Sequence, residues 1–311
     1  MKFLKKIECF IRDPKFRFQY LDSLGFYNNL DDLKYLQKKF LYLIGHNLDI
    51  DYPKSYNEKL QWIKLYDRKP IYTKMVDKFE AKKIVEEKIG AEYVIPTLGV
   101  WEKFDEIDFE KLPKRFVLKC THDSGGVIVV DDKNKIDWMK IKEQFERKLS
   151  KNFYFYGREW PYRNVKPRII AEKRLEMSSN NDSDIVNDYK VYTFNGKARI
   201  CMINTERGIH TTADYFDKNF NKLDFSWGYP HSMRKIERPQ NYDLMFQLAE
   251  KLAENTLELR VDFYEVSGQL FFGEMTFFDG SGFDKIEPFE WDLKLGDWIE
   301  LPNSKSKEVN N

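Results

Sequence analysis

Several residue types are scarce in this chain, and each shortage closes off a class of function. Three of the 311 residues are cysteines, Cys9, Cys120 and Cys201. They form no C-x-x-C pair, so neither a disulfide framework nor a structural zinc site is expected, and a reducing cytoplasmic setting is. There are four histidines. No serine stands with His and Asp partners as a nucleophile, and neither His122 nor His210 lies in a motif that would make it a base. A formal net charge of +1 leaves no global basic field, which argues against nucleic acid as the main partner. No apolar run approaches the roughly 20 residues needed to span a bilayer.

Charged residues, by contrast, make up 33% of the chain and aromatics 16%, which reads as soluble and globular rather than disordered. The length suits one large domain or two to three small ones. At the N-terminus Phe3, Leu4, Ile7, Phe10 and Ile11 share a helical face with lysines opposite, and the charges interrupt what would be the core of a signal peptide. Two readings stay open. The helix rests weakly on the inner face of an anionic membrane, or it docks on its own domain.

Residues 1–70 read as a helical region. Ser55 and Glu58 form a capping box ahead of the pattern Leu60, Ile63, Leu65. A second helix is expected near Lys74–Ile89, closed by Gly90. Strands and helices then mix. Asn195-Gly196 and Ser267-Gly268 mark two hairpins. "SSNNDSD" is a polar loop and "NSKSKEVNN" a polar tail. Helices first, then antiparallel strands mixed with helices, make the class α+β. The divisions drawn are 1–70, 71–171, 172–302 and a tail at 303–311.

Within "FVLKCTHDSGGVIVV" a lysine ends one strand and a small polar loop leads straight into another. The glycines let backbone N–H groups approach phosphate oxygens, and Lys119 supplies a compact charge. A Walker loop is excluded, because a strand follows where a helix would be required. A second candidate is the pair Asp262 and Glu274 on the last hairpin. With an odd loop, such as Ser267-Gly268-Gln269, they would stand opposite each other, a repulsion that a cation between them would relieve. The competing reading puts them on opposite faces, each satisfied by a neighbour such as Arg260. A third is Glu172 in "RIIAEKRLE", either an adenine-reading strand edge or an exposed acid.

The order of these pieces, a lysine-loop hairpin, an E-K-x-L strand and D…E-x-T on a hairpin, resembles the ATP-grasp superfamily. Within it the chain resembles the TupA-like ATP-grasp family, associated with bacterial surface polysaccharide synthesis. The matching segments include "NEKLQWIKLYDRKPIYTKMVDK", "FVLKCTHDSGG", "REWPYRNVKPRIIAEKRLE", "DYKVYTFNGK", "RVDFYEVSGQLFFGEMTFF" and "GFDKIEPFEWDLKLGDWIEL", from about residue 50 to 301. The resemblance implies two α+β lobes clasping ATP behind the helical N-terminal region.

It also implies roles. Lys78 and Lys119 would hold ATP phosphates, and Ser124, Gly125 and Gly126 would form the lid. Glu172, Lys173 and Leu175 would hold adenine, with Glu176 on the ribose. Lys190 would face the reacting phosphate. Asp262 and Glu274 would bind Mg2+, with Thr276 where many ATP-grasp enzymes have asparagine, a better metal ligand. Two further departures are Lys82 in place of an arginine and Asp123 in place of a glycine. The implied chemistry is an ADP-forming amide ligase that joins a small amine to a carboxylate sugar, such as the glucuronate of a capsular polysaccharide. Arg260 is the candidate for the oxyanion, helped by Ser281 and Gly282. His122, Trp160 and Tyr162 are candidates for the substrate. A glycosyltransferase or an ATP-dependent sugar kinase is the alternative, and "DDLKYL" and "DSD" are poor D-x-D metal motifs.

Overall fold

The computed structural model describes residues 2–175, 188–205 and 211–302, with the side chains from Ile7 onward at the N-terminus. Glu176, His210, the "SSNNDSD" loop, the 303–311 tail and the side chains of Phe3 and Leu4 lie outside the described residues.

Four helices lead the chain: α1 (Lys2–Arg12), α2 (Pro14–Ser23), α3 (Asp32–Ile44) and α4 (Tyr56–Tyr66). Ser55 and Glu58 cap α4 reciprocally, as their spacing predicts. The helix expected over 74–89 is two: α5 (Ile71–Val76) and α6 (Glu80–Lys88). Asp77 makes the break, because its carboxylate accepts from the backbone of Phe79 and Glu80 and so starts a new helix. Periodicity alone does not reveal a cap inside an apolar pattern. The Lys78 backbone is thereby freed to donate to Thr121 O at 3.0 Å.

The first lobe is a four-stranded antiparallel sheet in the order β1-β4-β2-β3, made of β1 (Thr97–Trp101), β2 (Phe116–Cys120), β3 (Val127–Val130) and β4 (Ile169–Lys173). The boundary drawn at 171/172 therefore falls inside β4. Helix α7 (Trp138–Leu149) covers one face, where Phe116, Leu118, Cys120, Phe145, Ile169 and Ala171 form a core of their own. The short α8 (Tyr154–Gly157) leads back toward the helical layer.

The second lobe is a five-stranded antiparallel sheet in the order β10-β9-β5-β6-β7. It comprises β5 (Asp188–Phe194), β6 (Lys197–Thr205), β7 (Thr212–Asp217), β9 (Glu258–Val266) and β10 (Gln269–Thr276). Helix α9 (Tyr242–Leu252) packs on its back. A two-stranded ribbon pairs β8 (Ser226–Trp227) with β11 (Ile286–Glu287), and α10 (Phe289–Asp297) follows it. The turn at Asn195-Gly196 has both residues at positive φ, as a two-residue hairpin requires.

One large core joins α3, α4 and α5 to this sheet. The N-terminal helix α1 packs on α2, although Ile7 and Ile11 remain exposed. No helix among the described residues is long and apolar enough to cross a membrane.

The helical layer is locked on by α10. Asp292 accepts from both the backbone and the side chain of Asn57. Gly296 lies so close to α4 that a Cβ there would sit 2.1 Å from Lys54 O. Gly296→Ala should therefore cost about 2–3 kcal/mol of stability through overpacking. Urea titration checks this, and an unshifted midpoint would mean that α10 can slide without penalty.

Candidate active site

The site is built from parity. The β9–β10 hairpin turns in two residues, Ser267 and Gly268, so Val266 pairs with Gln269 and Phe263 with Phe272. An even loop of this kind would stagger Asp262 and Glu274. The expectation of an odd loop is not met, but a register shift between Phe272 and Glu274 restores the pairing and sets Glu274 directly opposite Asp262. Gly273 is the extra residue. A Cβ there would press on Asp262 O and the Tyr264 ring, each at 3.1 Å. The bulge and its glycine thus place the two carboxylates face to face.

Three cations hold this arrangement. Arg260 grips Asp262 with two bonds, Nε to Oδ1 at 2.7 Å and Nη2 to Oδ2 at 2.8 Å. It also reaches Glu274 at 3.1 Å and pairs with Asp279. Lys190 lies opposite Asp262 on β5 and pairs with it, and with Asp188 at 2.6 Å. Lys78, in the break between α5 and α6, lies 3.4 Å from Glu274 and donates to Asp123 O at 2.6 Å, so it links the hairpin to the loop of the first lobe. Burial pushes the Glu274 carboxyl up, but Lys78, Arg260 and Lys190 outweigh it and bring it down to about 2. Burial pushes the Asp262 carboxyl up, and Arg260 and Lys190 offset this only in part, so it stays above the usual carboxylate range. Burial pulls Lys190 down, yet Asp262 and Asp188 leave its pKa raised, so it stays an ammonium. Thr276 Oγ1 lies 3.4 Å from Glu274. The facing carboxylates are hard oxygen donors of the kind that suits magnesium, and Asp262 and Glu274 are the residues that would hold it.

In the first lobe Lys119 and Glu172 share a face of the sheet and pair at 2.6 Å, and Lys82 meets the same carboxylate at 2.5 Å. Burial pushes Glu172 up, and the two lysines hold it below the usual range. Lys82 also donates to Ile95 O and Thr97 Oγ1, so the lysine at this position ties α6 to the start of β1 as well as to Glu172 of β4. Lys173 is exposed and Leu175 half-buried, just past the strand end. Ser124 and Gly125 form the exposed tip of the loop, Gly125 with φ +80. The acid at Asp123 is turned away from the tip, because Lys148 of α7 pairs with it at 2.9 Å.

Some expected residues point elsewhere. His122 is buried against α7 and meets Lys148 O at 3.1 Å, so it does not face the cleft. Tyr162 belongs to the large core, while Trp160 is half-buried at its edge. The Ser281 N–H donates to Phe278 O at 2.8 Å, and its carbonyl accepts from Lys64 at 2.7 Å. Its N–H is thereby spent. Two site residues escaped sequence reading. Asp188 stands two positions before Lys190, the i, i+2 relation that puts both on one strand face, and that signal was available. Asp279 has no such signal, since only the fold brings its turn to Arg260.

Glu258 lies one strand step below Arg260, fully buried, and accepts from Tyr56 Oη at 3.0 Å. Burial pushes its carboxyl well above the carboxylate range. The folded protein thus keeps a proton that the unfolded chain releases above roughly pH 4.3, and this group lowers stability as pH rises from there. Glu258→Gln removes that dependence. The variant should gain in Tm over the native protein as pH goes from 5 to 8. A gap that does not widen would show that Glu258 is ionised in the fold.

The sequence model of the family described as "TupA-like ATPgrasp" matches residues 58–300. No curated protein matches the chain. Among solved structures, D-alanine–D-alanine ligase from Bacillus anthracis, complexed with ATP, aligns at 16% identity over 65% of this chain and 55% of that one, with a TM-score of 0.38. The same enzyme from Helicobacter pylori gives 12%, 73%, 60% and 0.41. N5-carboxyaminoimidazole synthetase from Staphylococcus aureus gives 13%, 74%, 53% and 0.40. The chain spans little more than half the length of these proteins, and at such scores they carry no weight beside the family match. With most of its length matched by the family's sequence pattern, the chain belongs to the TupA-like ATP-grasp family.

Proposed function

We propose that the protein is an ATP-dependent carboxylate–amine ligase that forms an amide through an acyl phosphate, on a uronic acid of a bacterial surface polysaccharide. The observation that carries the ligase reading is the bulge-opposed pair Asp262 and Glu274, met by Lys78, whose ammonium also holds the loop of the first lobe at Asp123 O. The uronic acid rests on the family's association with surface polysaccharide.

Asp262 and Glu274 would hold the magnesium ion, which when bound would supply neutralisation of the phosphate charge. Lys119 and Lys78 bind the phosphates, and Lys190 faces the transferring group. Ser124, Gly125 and Gly126 close over it and exclude water from the acyl phosphate. Glu172, Lys173 and Leu175 hold the adenine. The sugar carboxylate attacks the γ-phosphorus and ADP leaves. The amine then attacks the acyl carbon, gives up a proton, and phosphate leaves. Arg260 stays bound to Asp262, Glu274 and Asp279, and its one remaining Nη1 N–H is the candidate donor to the oxyanion. Trp160 offers a ring face at the cleft side of the core for the pyranose.

Lys119→Ala should weaken nucleotide binding by about 1.5–3 kcal/mol, the range for charge-assisted hydrogen bonds. Calorimetry with ADP reads this, and unchanged affinity in a folded variant would remove Lys119 from the phosphate site.

The reaction itself is tested by incubating the protein with ATP, glucuronate-containing acceptors and a panel of small amines, with mass spectrometry of the products. ADP, phosphate and an amide are expected. The neutral hexose in place of the uronic acid should stop ADP formation, since no nucleophilic carboxylate remains. Pyrophosphate, or sustained ADP release with the neutral sugar, would overturn the acyl-phosphate reading.

A further inference from the structure

Behind the site lies a second buried ionic cluster that the reaction above does not use. Lys64 of α4 is 1% exposed. Its ammonium donates to Ser281 O at 2.7 Å, Gly157 O at 2.8 Å, Gln61 Oε1 at 3.0 Å and Ser281 Oγ at 3.1 Å. It sits over the Phe283 ring, 4.6 Å from the centroid. Glu159 is buried beside it and shares the Ser281 hydroxyl. Gln61 adds a bond to Gly282 O at 2.8 Å.

Three of these bonds, to Ser281 O, Ser281 Oγ and Gly282 O, fall on one turn, and the turn is strained. Gly280, Ser281 and Gly282 follow one another at φ 54, 55 and 62. Three left-handed residues in a row, one of them not glycine, persist only when the surroundings over-determine them. The surroundings do so here by exclusion as well as by bonding. A Cβ on Gly157 would lie 1.8 Å from Ser281 Oγ, and one on Gly282 would lie 2.5 Å from Gln61 Nε2. The turn begins at Asp279, whose carboxylate pairs with Arg260 and accepts from Tyr192 Oη at 2.5 Å. A continuous set of contacts therefore runs from Lys64 through the turn to Arg260, and from Arg260 to Asp262 and Glu274.

We propose that Lys64 and Glu159 are positioning residues. They hold the Asp279–Gly282 turn, and through Asp279 the Arg260 guanidinium that fixes Asp262 and Glu274, in the arrangement that phosphoryl transfer from ATP requires. The task assigned to them rests on the ligase reading. A plain packing role would be served better by apolar residues, because two buried charges are costly to keep. The cost is visible: burial pulls Lys64 down to about 7 and pushes Glu159 up to about 6. What an apolar pair could not do is tie the Ser281 carbonyl of a strained turn to the Gly157 carbonyl at the end of α8 from one point.

The test compares two complexes that differ in what they ask of Arg260. MgADP alone reports ground-state binding, and MgADP with aluminium fluoride reports the geometry of a transferring phosphoryl group. In Lys64→Met the affinity for MgADP should stay within about twofold of the native protein, while that for the aluminium fluoride complex falls about tenfold or more. Amide exchange across residues 278–283 should quicken. Glu159→Gln should show the same split, less strongly. If Lys64→Met does not fold, Gln61→Leu tests the same turn more gently, with an expected loss of about threefold for the fluoride complex alone. Equal losses for both complexes, or none for either in folded variants, would make the cluster purely structural. Should the native protein bind neither complex, the ligase reading fails and the pair loses its task with it.

Discussion

A carboxylate buried in the middle of a sheet cannot stay ionised unless cations reach it, and Asp262 is placed so that two do. Arg260 holds it on the same strand and Lys190 from the next one. This knot sets what surrounds it. Glu274 can face Asp262 only because the knot absorbs the repulsion, and the bulge at Gly273 is what turns it there. Asp188 and Asp279 are then drawn in by the spare donors of Lys190 and Arg260. Among the described residues, four carboxylates so gather around Lys78, Lys190 and Arg260. An acid-rich site with fixed geometry is the setting in which a hard divalent cation gains most.

The two lobes meet at the same knot. The break between α5 and α6 brings Lys78 to Glu274 with its backbone tied to Thr121 and its ammonium to Asp123 O. Asp77, which makes the break, also pairs with Arg168 at 2.7 Å. A residue that starts a helix thus also anchors the strand entering the hinge. The lid loop hangs from these contacts, its tip exposed and its root fixed by Lys148 to Asp123.

The helical layer has a share in the site as well. Helix α4 presents a face of buried polar residues to the second lobe, Asn57, Gln61 and Lys64 in helical register. Asn57 fastens α10, and Gln61 and Lys64 fasten the turn beside Arg260. A region that looks like a separate N-terminal unit in sequence is in structure the back wall of the active site.

The sequence by itself determined the local chemistry. The α4 capping box, the Asn195-Gly196 turn, the strand pair around the Lys119 loop and the candidates Lys119, Asp262 and Glu274 all follow from contacts within a few residues, which propensity and spacing encode. Tertiary structure alone decided the rest. The bulge at Gly273 changed the parity of the hairpin, and no count along the chain shows whether an extra residue sits in the turn or in the strand. His122 and Tyr162 are polar-tipped residues beside motif segments, yet one packs under α7 and the other enters the core. Asp279 meets Arg260 across 19 positions and Lys64 meets Ser281 across 217. Buried charge pairs over such separations are fixed by where two layers happen to touch, and that is set by the packing of the whole fold.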